Sequence, residues 1–264
     1  MHYLVLMTGS CGNCYIFSTG RDTIIIDDGV TYTKIRTQME AHEIDISTVR
    51  ALFLTHLHPD HSKGVGVLQR KLFIPVYISA LSKMKNESIL IKQKIEMDGL
   101  RTYEYGEEIS IPGFCVTPFP TSHDSDGSSG YAFTAEGHKY FLMTDTGLIP
   151  DEAWKHAEEA DVEFIESNYD SEMLENGNYP VFLKDRIRGR FGHLSNNAAI
   201  DFAKRTARHG DSIYFVHLSA NNNAPSIVRD LVRKEIPSGI FCKVCERGEL
   251  FEGFLDGDNL FEKL

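Results

Sequence analysis

An α/β fold of two sheets packed face to face, with helices on the outside, is what this 264-residue sequence predicts. Three observations carry that prediction. Short apolar runs of strand length recur in both halves of the chain, helix-length stretches close each half, and acid- and histidine-bearing loops follow several of the strands. With 42% hydrophobic residues the chain can bury a sizeable core, and a single globular unit over 1–264 is expected.

The elements follow in order. Strands are expected at 3–7, 15–19 and 23–27, separated by the turns "GSCGN" and "STGRD", and "TIIIDDG" ends a buried strand on acids. A helix over 31–43 precedes the interior strand "VRALFLT". A histidine-rich loop comes next, and "SKGVGVLQRKL" after it can form a helix. Beyond residue 75 the pattern restarts with "PVYIS", "GFCVTPFP", "GYAFTAE" and "KYFLMTDTG", the last two joined by "EGH". Helices are expected near 150–159, 195–208 and 224–234, the last two alternating with the strands "SIYFVHLS" and "GIFCKV". No repeat, low-complexity tract or Pro/Ser-rich linker marks a domain boundary.

A formal charge of -11 argues against a protein that grips nucleic acid through broad basic surfaces, because phosphate contacts dominate such affinity. Divalent metals at an acidic site add positive charge that a residue count omits, and a local basic stretch, "LKDRIRGR" (183–190), survives within the acidic average. The N-terminal "MHYLVLMTGS" lacks a basic leader and is interrupted by Thr8, Gly9 and Ser10, so it reads as a first strand. No run approaches the roughly 18 apolar residues of a membrane helix. A cytosolic location with no membrane partner is expected, and the odd count of five cysteines suggests reduced thiols.

The densest chemistry lies in "THLHPDHSKG", from Thr55 onward. On an extended segment side chains alternate, so His56 and His58 point the same way and can close on one ion. Pro59 then turns the chain, and Asp60 and His61 diverge from that pair and can serve a second ion. Imidazole with carboxylate suits zinc, and also manganese or iron, as a hydrolytic centre. A solvated polar loop is the plain alternative, and this spacing disfavours it.

Written as H-x-H-x-D-H, the motif resembles the signature of the metallo-β-lactamase superfamily, whose fold is an αβ/βα four-layer sandwich. Further matches extend the resemblance: Asp27 in "IIIDDG", His123 in "TSHD", Asp145 in "TDTG" and His217 in "VHLS", each where an expected strand runs out. The resemblance implies two divalent ions, one on His56, His58 and His123 and the other on Asp60, His61 and His217, with Asp145 bridging and Asp27 bracing the loop. Taken singly, each outlying residue has a plain reading. His123 could be an exposed loop histidine, His217 a hydrogen-bonded strand-end residue and Asp145 a turn former before Gly147.

True β-lactamases of this fold usually carry Cys at the position of Asp145, and flavodiiron oxygen reductases usually carry Glu at that of His58. Neither matches. Nor does "FGHLSNNAAIDFA" match the substrate-binding tail of glyoxalase II. That stretch, followed by "VHLS", resembles the phosphodiesterase branch, where a non-ligand histidine ahead of a helix contacts phosphate and protonates the leaving oxygen. His193 matches it. Ser195 can cap the helix that follows, leaving its first N–H groups free for an anion, so His193 and Ser195 are the expected substrate contacts.

More specifically, "TGSCGNCY", "PTSHDSDGSSGYAF", "ESNYDSEMLENGNYP", "LKDRIRGRFGHLSN" and "VHLSANNN" resemble the bacterial YycJ/WalJ-type subgroup, which is associated with 5′-to-3′ DNA exonuclease activity. Two positions depart from that subgroup. Ser is common where this chain has Cys11, and His where it has Tyr169, a residue that cannot be a cationic acid near neutral pH. The chain has no room for the large inserted domain of the RNA-processing members, and it lacks the basic arm typical of ribonuclease Z. DNA ends or a small phosphodiester are therefore the expected partners.

The expected chemistry is two-metal phosphodiester hydrolysis. Asp60 would bind a metal and steer the nucleophile derived from water, and His193 would protonate the departing oxygen. Hydrolysis of a small cyclic or diester phosphate is the alternative activity, and a catalytically silent metal-binding or signalling module is the alternative from another class. Among the remaining residues, "CGNC" and "CKVC" have half-site spacing for structural zinc, but Cys242 and Cys245 should face opposite sides of a strand. Cys115 is expected in the core, Trp154 to pack, and Asn221 to Asn223 to cap the last helix with some site contact. Arg186 and Arg188 are expected either on DNA phosphates or on a solvated face.

Overall fold

The computed structural model describes residues 1–256 and 259–261. The first sheet begins with β1 (His2–Met7), β2 (Cys14–Ser18), β3 (Thr23–Ile26), β4 (Val49–Phe53), β5 (Val76–Ser79) and β6 (Leu100–Tyr103). The second contains β7 (Ile109–Ile111), β8 (Phe114–Pro120), β9 (Ser129–Ala135), β10 (His138–Met143), β11 (Val162–Glu166), β12 (Ser212–Val216) and β13 (Phe241–Val244). The chain then returns to the first sheet as β14 (Phe251–Asp256) and β15 (Asn259–Phe261). The strand orders are β15-β14-β1-β2-β3-β4-β5-β6 and β13-β12-β11-β10-β9-β8-β7.

Most of these strands read as continuous apolar runs because both of their faces are covered. Tyr3, Phe17, Phe53, Phe133, Tyr140, Phe164 and Tyr214 fill the space between the sheets. Their rings meet mostly edge to face, as Tyr3 does with Phe164 at 5.7 Å and with Tyr214 at 5.6 Å. The alternate residues of the first sheet, such as Leu4, Ile16, Ile25 and Leu52, pack outward under α1 (Tyr32–Ala41), α2 (Pro59–Ser62), α3 (Val65–Leu72), α4 (Ala80–Lys85) and α5 (Glu87–Lys92). On the second sheet Phe141, Ile165 and Phe215 pack outward. The helices of this half are α6 (Asp151–Glu158), α7 (Ser171–Asn176), α8 (Val181–Arg188), α9 (Asn196–Thr206) and α10 (Pro225–Glu235). The result is the helix–sheet–sheet–helix sandwich expected from the sequence. Among the described residues, no helix is long and apolar enough to cross a membrane.

The topology sets where chemistry can collect. β3 and β4 are parallel to each other, as are β10, β11 and β12, and β8 returns to their direction through the antiparallel β9. The carboxyl ends of these strands deliver their following loops to one edge of the sandwich.

Several expectations need correction. Cys115 is half-exposed on the outer side of β8, because Phe114 and Val116 take the inward positions on either side of it. The N-cap of α10 is Ala224, with no side-chain capping bond, so Asn221 to Asn223 do not cap that helix. Asn223 is instead buried, donating to the Ser167 and Asn168 carbonyls and to Asn196 Oδ1. Trp154 packs as expected, 4.7 Å from the Phe202 ring. Cys242 faces the helix layer while Cys245 faces the inter-sheet core, and among the described residues no candidate metal group contains a cysteine.

Candidate metal centre

Three side chains reach the edge of the sandwich through unusual backbone. Asp27, Asp145 and His217 all have positive φ, 61°, 53° and 57°, and all lie just past a strand end. This left-handed conformation costs a non-glycine residue about 1–2 kcal/mol and breaks the strand alternation at that point. Asp27 then works as a brace. Its Oδ1 accepts from the Thr55 N–H at 2.8 Å, while its Oδ2 accepts from Thr55 Oγ1 at 2.8 Å and sits 2.7 Å from His61 Nδ1. The loop after β4 is thereby fixed with His61 Nε2 directed away from Asp27.

Around that loop the structure brings together every metal ligand expected from the sequence. Ligand atoms of His56, His58 and His123 lie within 4.8 Å of one another, as do those of Asp60, His61 and His217. Asp145 groups with His56 and His61, between the two sets. His123 is buried rather than exposed, and its Nδ1, 3.0 Å from the Gly192 carbonyl, carries the proton. Its Nε2 faces the site, 3.3 Å from His58 Nδ1. His56 Nε2 and His217 Nε2 are buried with no hydrogen-bond partner among the described residues. A buried polar atom left unpaired costs about 1–3 kcal/mol, so the set is chemically suited to cations that would satisfy it.

Electrostatics agrees with this division of roles. Burial, reinforced by the neighbouring His61, holds the His56 pKa well below its ordinary value, which favours the neutral ligand form. Burial also opposes the His61 cation, yet Asp145 and Asp27 outweigh it and push the pKa up to about 10 without metal. A divalent ion would displace that proton. For Asp145 burial favours the neutral acid, but His217 and His61 outweigh it and hold the carboxyl well below the usual range. Asp60 is the more open carboxylate, with its side chain 25% exposed against 3% for Asp145.

Glu166, which sequence reasoning missed, organises the other side of the site. This fully buried carboxylate sits at the end of β11, with Oε1 2.7 Å from His193 Nδ1 and 3.0 Å from His217 Nδ1. Its Oε2 accepts the backbone N–H groups of Thr146 at 2.9 Å and Leu194 at 3.1 Å. The signal was available, since "VEFIES" ends an apolar strand on an acid just as "IIIDDG" does. Asn13 was missed as well; its Nδ2 lies 2.8 Å from His61 Nε2. Burial disfavours the His193 cation, but Glu166, followed by Asp145, outweighs it and raises the pKa.

His193 stands beside both ligand sets, its ring 5.1 Å from that of His123 and 5.5 Å from that of His217. Ser195 caps α9, its Oγ accepting from the Ala198 N–H at 3.3 Å. The free N–H groups expected there are mostly taken, because Asn196 N–H donates to the Tyr169 carbonyl at 2.8 Å. Tyr169 is itself buried. Arg186 pairs with Asp124 at 2.6 Å, and Arg188 with Glu175 at 2.9 Å and Asp185 at 2.5 Å, so both belong to the solvated ion-pair face.

Comparison with known proteins places this geometry in context. Residues 22–218 match the model of the β-lactamase superfamily domain. The exodeoxyribonuclease YycJ of Bacillus anthracis is 33% identical over 253 residues, covering 96% of this chain and 94% of that protein. The exodeoxyribonuclease WalJ of Streptococcus pneumoniae serotype 2 is 30% identical over 248 residues, 92% of each. The metallo-β-lactamase fold protein YhfI of Bacillus subtilis superposes with a TM-score of 0.70 at 15% identity, over 95% of this chain and 99% of that one, a likeness of fold. The chain belongs to the metallo-β-lactamase superfamily, with the YycJ and WalJ exodeoxyribonucleases among its relatives.

Proposed function

We propose that this protein is a two-metal phosphodiesterase that removes nucleotides from DNA ends in the 5′-to-3′ direction. The observation that carries the reading is the pair of three-residue ligand sets with Asp145 between them, backed by relatives named as exodeoxyribonucleases over nearly their whole length. His56, His58 and His123 would hold one ion, Asp60, His61 and His217 the other, and Asp145 both. Imidazole and carboxylate together suit zinc, manganese or iron. When bound, such ions would supply a nucleophile from water at neutral pH and offset the charge that builds on the phosphate.

The protein's own side chains do the rest. Asp27 and Glu166 fix the ring orientations of His61 and His217 through their Nδ1 atoms, which turns each Nε2 toward the site, that of His61 beside Asn13. Asp60, the more open carboxylate, steers the attacking water. Glu166 keeps a proton on His193 Nδ1 and raises its pKa, so the ring can carry a second proton to the departing ester oxygen. Ser195 holds His193 in place by starting α9, and any direct phosphate contact there falls to the Asn197 N–H. Five free cysteines suit the reducing cytosol, where this reading locates the enzyme.

The test is digestion of duplex DNA labelled separately at its 5′ and 3′ ends, with manganese- or zinc-loaded protein and an Asp60→Ala control. Release of the 5′ label as mononucleotide, absent in the control, is expected. Intact DNA under both metals would sink the reading.

A further inference from the structure

Arg190 and Phe191 lie beside the metal centre and take no part in the roles assigned above. Phe191 is an apolar ring left 55% exposed, and the Arg190 guanidinium carbon sits 5.5 Å from its centroid. Other cations of this basic stretch are engaged: Lys184 donates to the Glu175 carbonyl, Arg186 to Asp124, and Arg188 to Glu175 and Asp185. Among the described residues Arg190 makes no ion pair and no side-chain hydrogen bond, and its guanidinium lies over the Phe191 ring.

The backbone beneath this pair is held on several sides. Ser122 Oγ donates to the Arg190 carbonyl at 2.9 Å, His123 Nδ1 to the Gly192 carbonyl at 3.0 Å, and the His193 N–H to the Ile187 carbonyl at 2.8 Å. Gly147 packs so closely that an added Cβ would lie 2.2 Å from the Gly189 carbonyl oxygen. Residue 191 is thus suspended between two carbonyls pinned to the His123 loop, and the candidate proton donor follows two residues later.

From this placement, and resting on the nucleic-acid reading above, we propose that Phe191 and Arg190 form the platform for the terminal nucleotide of a single DNA strand. Phe191 stacks on its base and Arg190 neutralises a backbone phosphate. An exposed aromatic ring on a held backbone, beside a cation that makes no ion pair among the described residues, fits single-stranded nucleic acid, whose every base offers a π-face and every linkage a negative charge. A small phosphodiester without a base would leave the ring unused. The platform also reconciles an acidic protein with an anionic substrate, because it asks for one cation on the segment tied to the His123 loop and not for a broad basic surface.

Binding of a 3′-fluorescein single-stranded oligonucleotide, followed by anisotropy in the presence of chelator so that nothing is cleaved, tests the platform apart from catalysis. Phe191→Ala should weaken binding about 5- to 100-fold and Phe191→Leu nearly as much, while Phe191→Trp restores it. Arg190→Ala should weaken binding and reduce the slope of log affinity against log salt by about 0.7. Met84→Ala, an exposed apolar truncation on α4, is the control expected to bind like wild type. Wild-type protein that does not bind, or Phe191 and Arg190 variants that bind as wild type does, would overturn the proposal. Hydrolysis of bis(p-nitrophenyl) phosphate by the metal-loaded proteins separates the two readings. Retained ester hydrolysis with weakened DNA binding in Phe191→Ala supports the platform. Wild type that binds DNA yet hydrolyses neither ester nor DNA would sink the phosphodiesterase reading and leave the platform to the binding series.

Discussion

One carboxylate oxygen of Glu166 lies between two histidines with different expected tasks, and that shared contact makes the tasks separable. In the proposed site His217 would use its other nitrogen as a ligand, whereas His193, although grouped with Asp145, Glu166 and His217, is assigned to the leaving group. His193→Ala should therefore leave metal content unchanged and slow turnover about a hundredfold to ten-thousandfold, the usual worth of a general acid. Glu166→Gln should slow turnover and also lower metal content, because losing the anionic partner of a ligating imidazole typically costs about 10- to 100-fold in metal affinity. Elemental analysis beside turnover decides it; a His193→Ala protein that loses metal would show that the ring is structural. At this scale the sequence was legible where ligands are contiguous. His56, His58, Asp60 and His61 announce themselves by spacing, while Glu166 offers only the weaker signal of an acid ending an apolar run, and Asn13 becomes meaningful only when distant strands converge.

Elements were legible to the extent that burial marks them. "TIII" and "SIYFV" are wholly apolar or nearly so because helices and the opposite sheet cover them; the first was placed within a residue, and the second starts as expected but ends at Val216, three residues before the expected "SIYFVHLS" does. β11 was missed because Glu163 and Glu166 interrupt its run, one bonded to Thr206 and the other to the site histidines. α8 was missed because it buries no residue and so has no apolar stripe to read. The element-scale feature that no pattern reveals is the contact among the loops after β1, β3 and β4. Asn13 N–H donates to the Asp60 carbonyl at 2.7 Å, and a Cβ on Gly29 would lie 1.7 Å from that same oxygen. Gly29→Ala cannot be accommodated without moving the backbone that carries Asp60, so it should cost about 1–3 kcal/mol or more and reduce metal loading. Gly20→Ala replaces a glycine with positive φ, unlike Gly29, but the space there is open and only the conformational cost of about 1 kcal/mol applies. Thermal melts of the two should differ by several degrees, with metal content lowered only by Gly29→Ala; equal shifts would refute the close-approach argument.

At the scale of the whole molecule the site is a seam. Asp27, His56, His58, Asp60 and His61 come from loops of the first sheet, while His123, Asp145, Glu166 and His217 come from the second. The sheets already share one aromatic core, and we propose on that basis that they unfold together as one unit. Without ions, the seam gathers several buried histidines and carboxylates that only partly satisfy one another: among the described residues His56 Nε2 has no hydrogen-bond partner, and His217 Nε2 lies 4.0 Å from Asp60 Oδ2. Ions held by both halves would bind the folded chain and not the unfolded one, so they stabilise by mass action, about 2.7 kcal/mol for each site at a hundredfold excess over its dissociation constant. Stripping the metal should thus lower the melting temperature by roughly 5 °C or more, given the ~2–4 °C per kcal/mol typical of chains near this size. The same chelator should leave Asp145→Asn nearly unchanged if that residue serves both ions, because little metal is then bound to remove. A wild-type melt indifferent to chelator would mean that the two halves are held by the aromatic core alone, and that the convergent ligand atoms contribute nothing to folding.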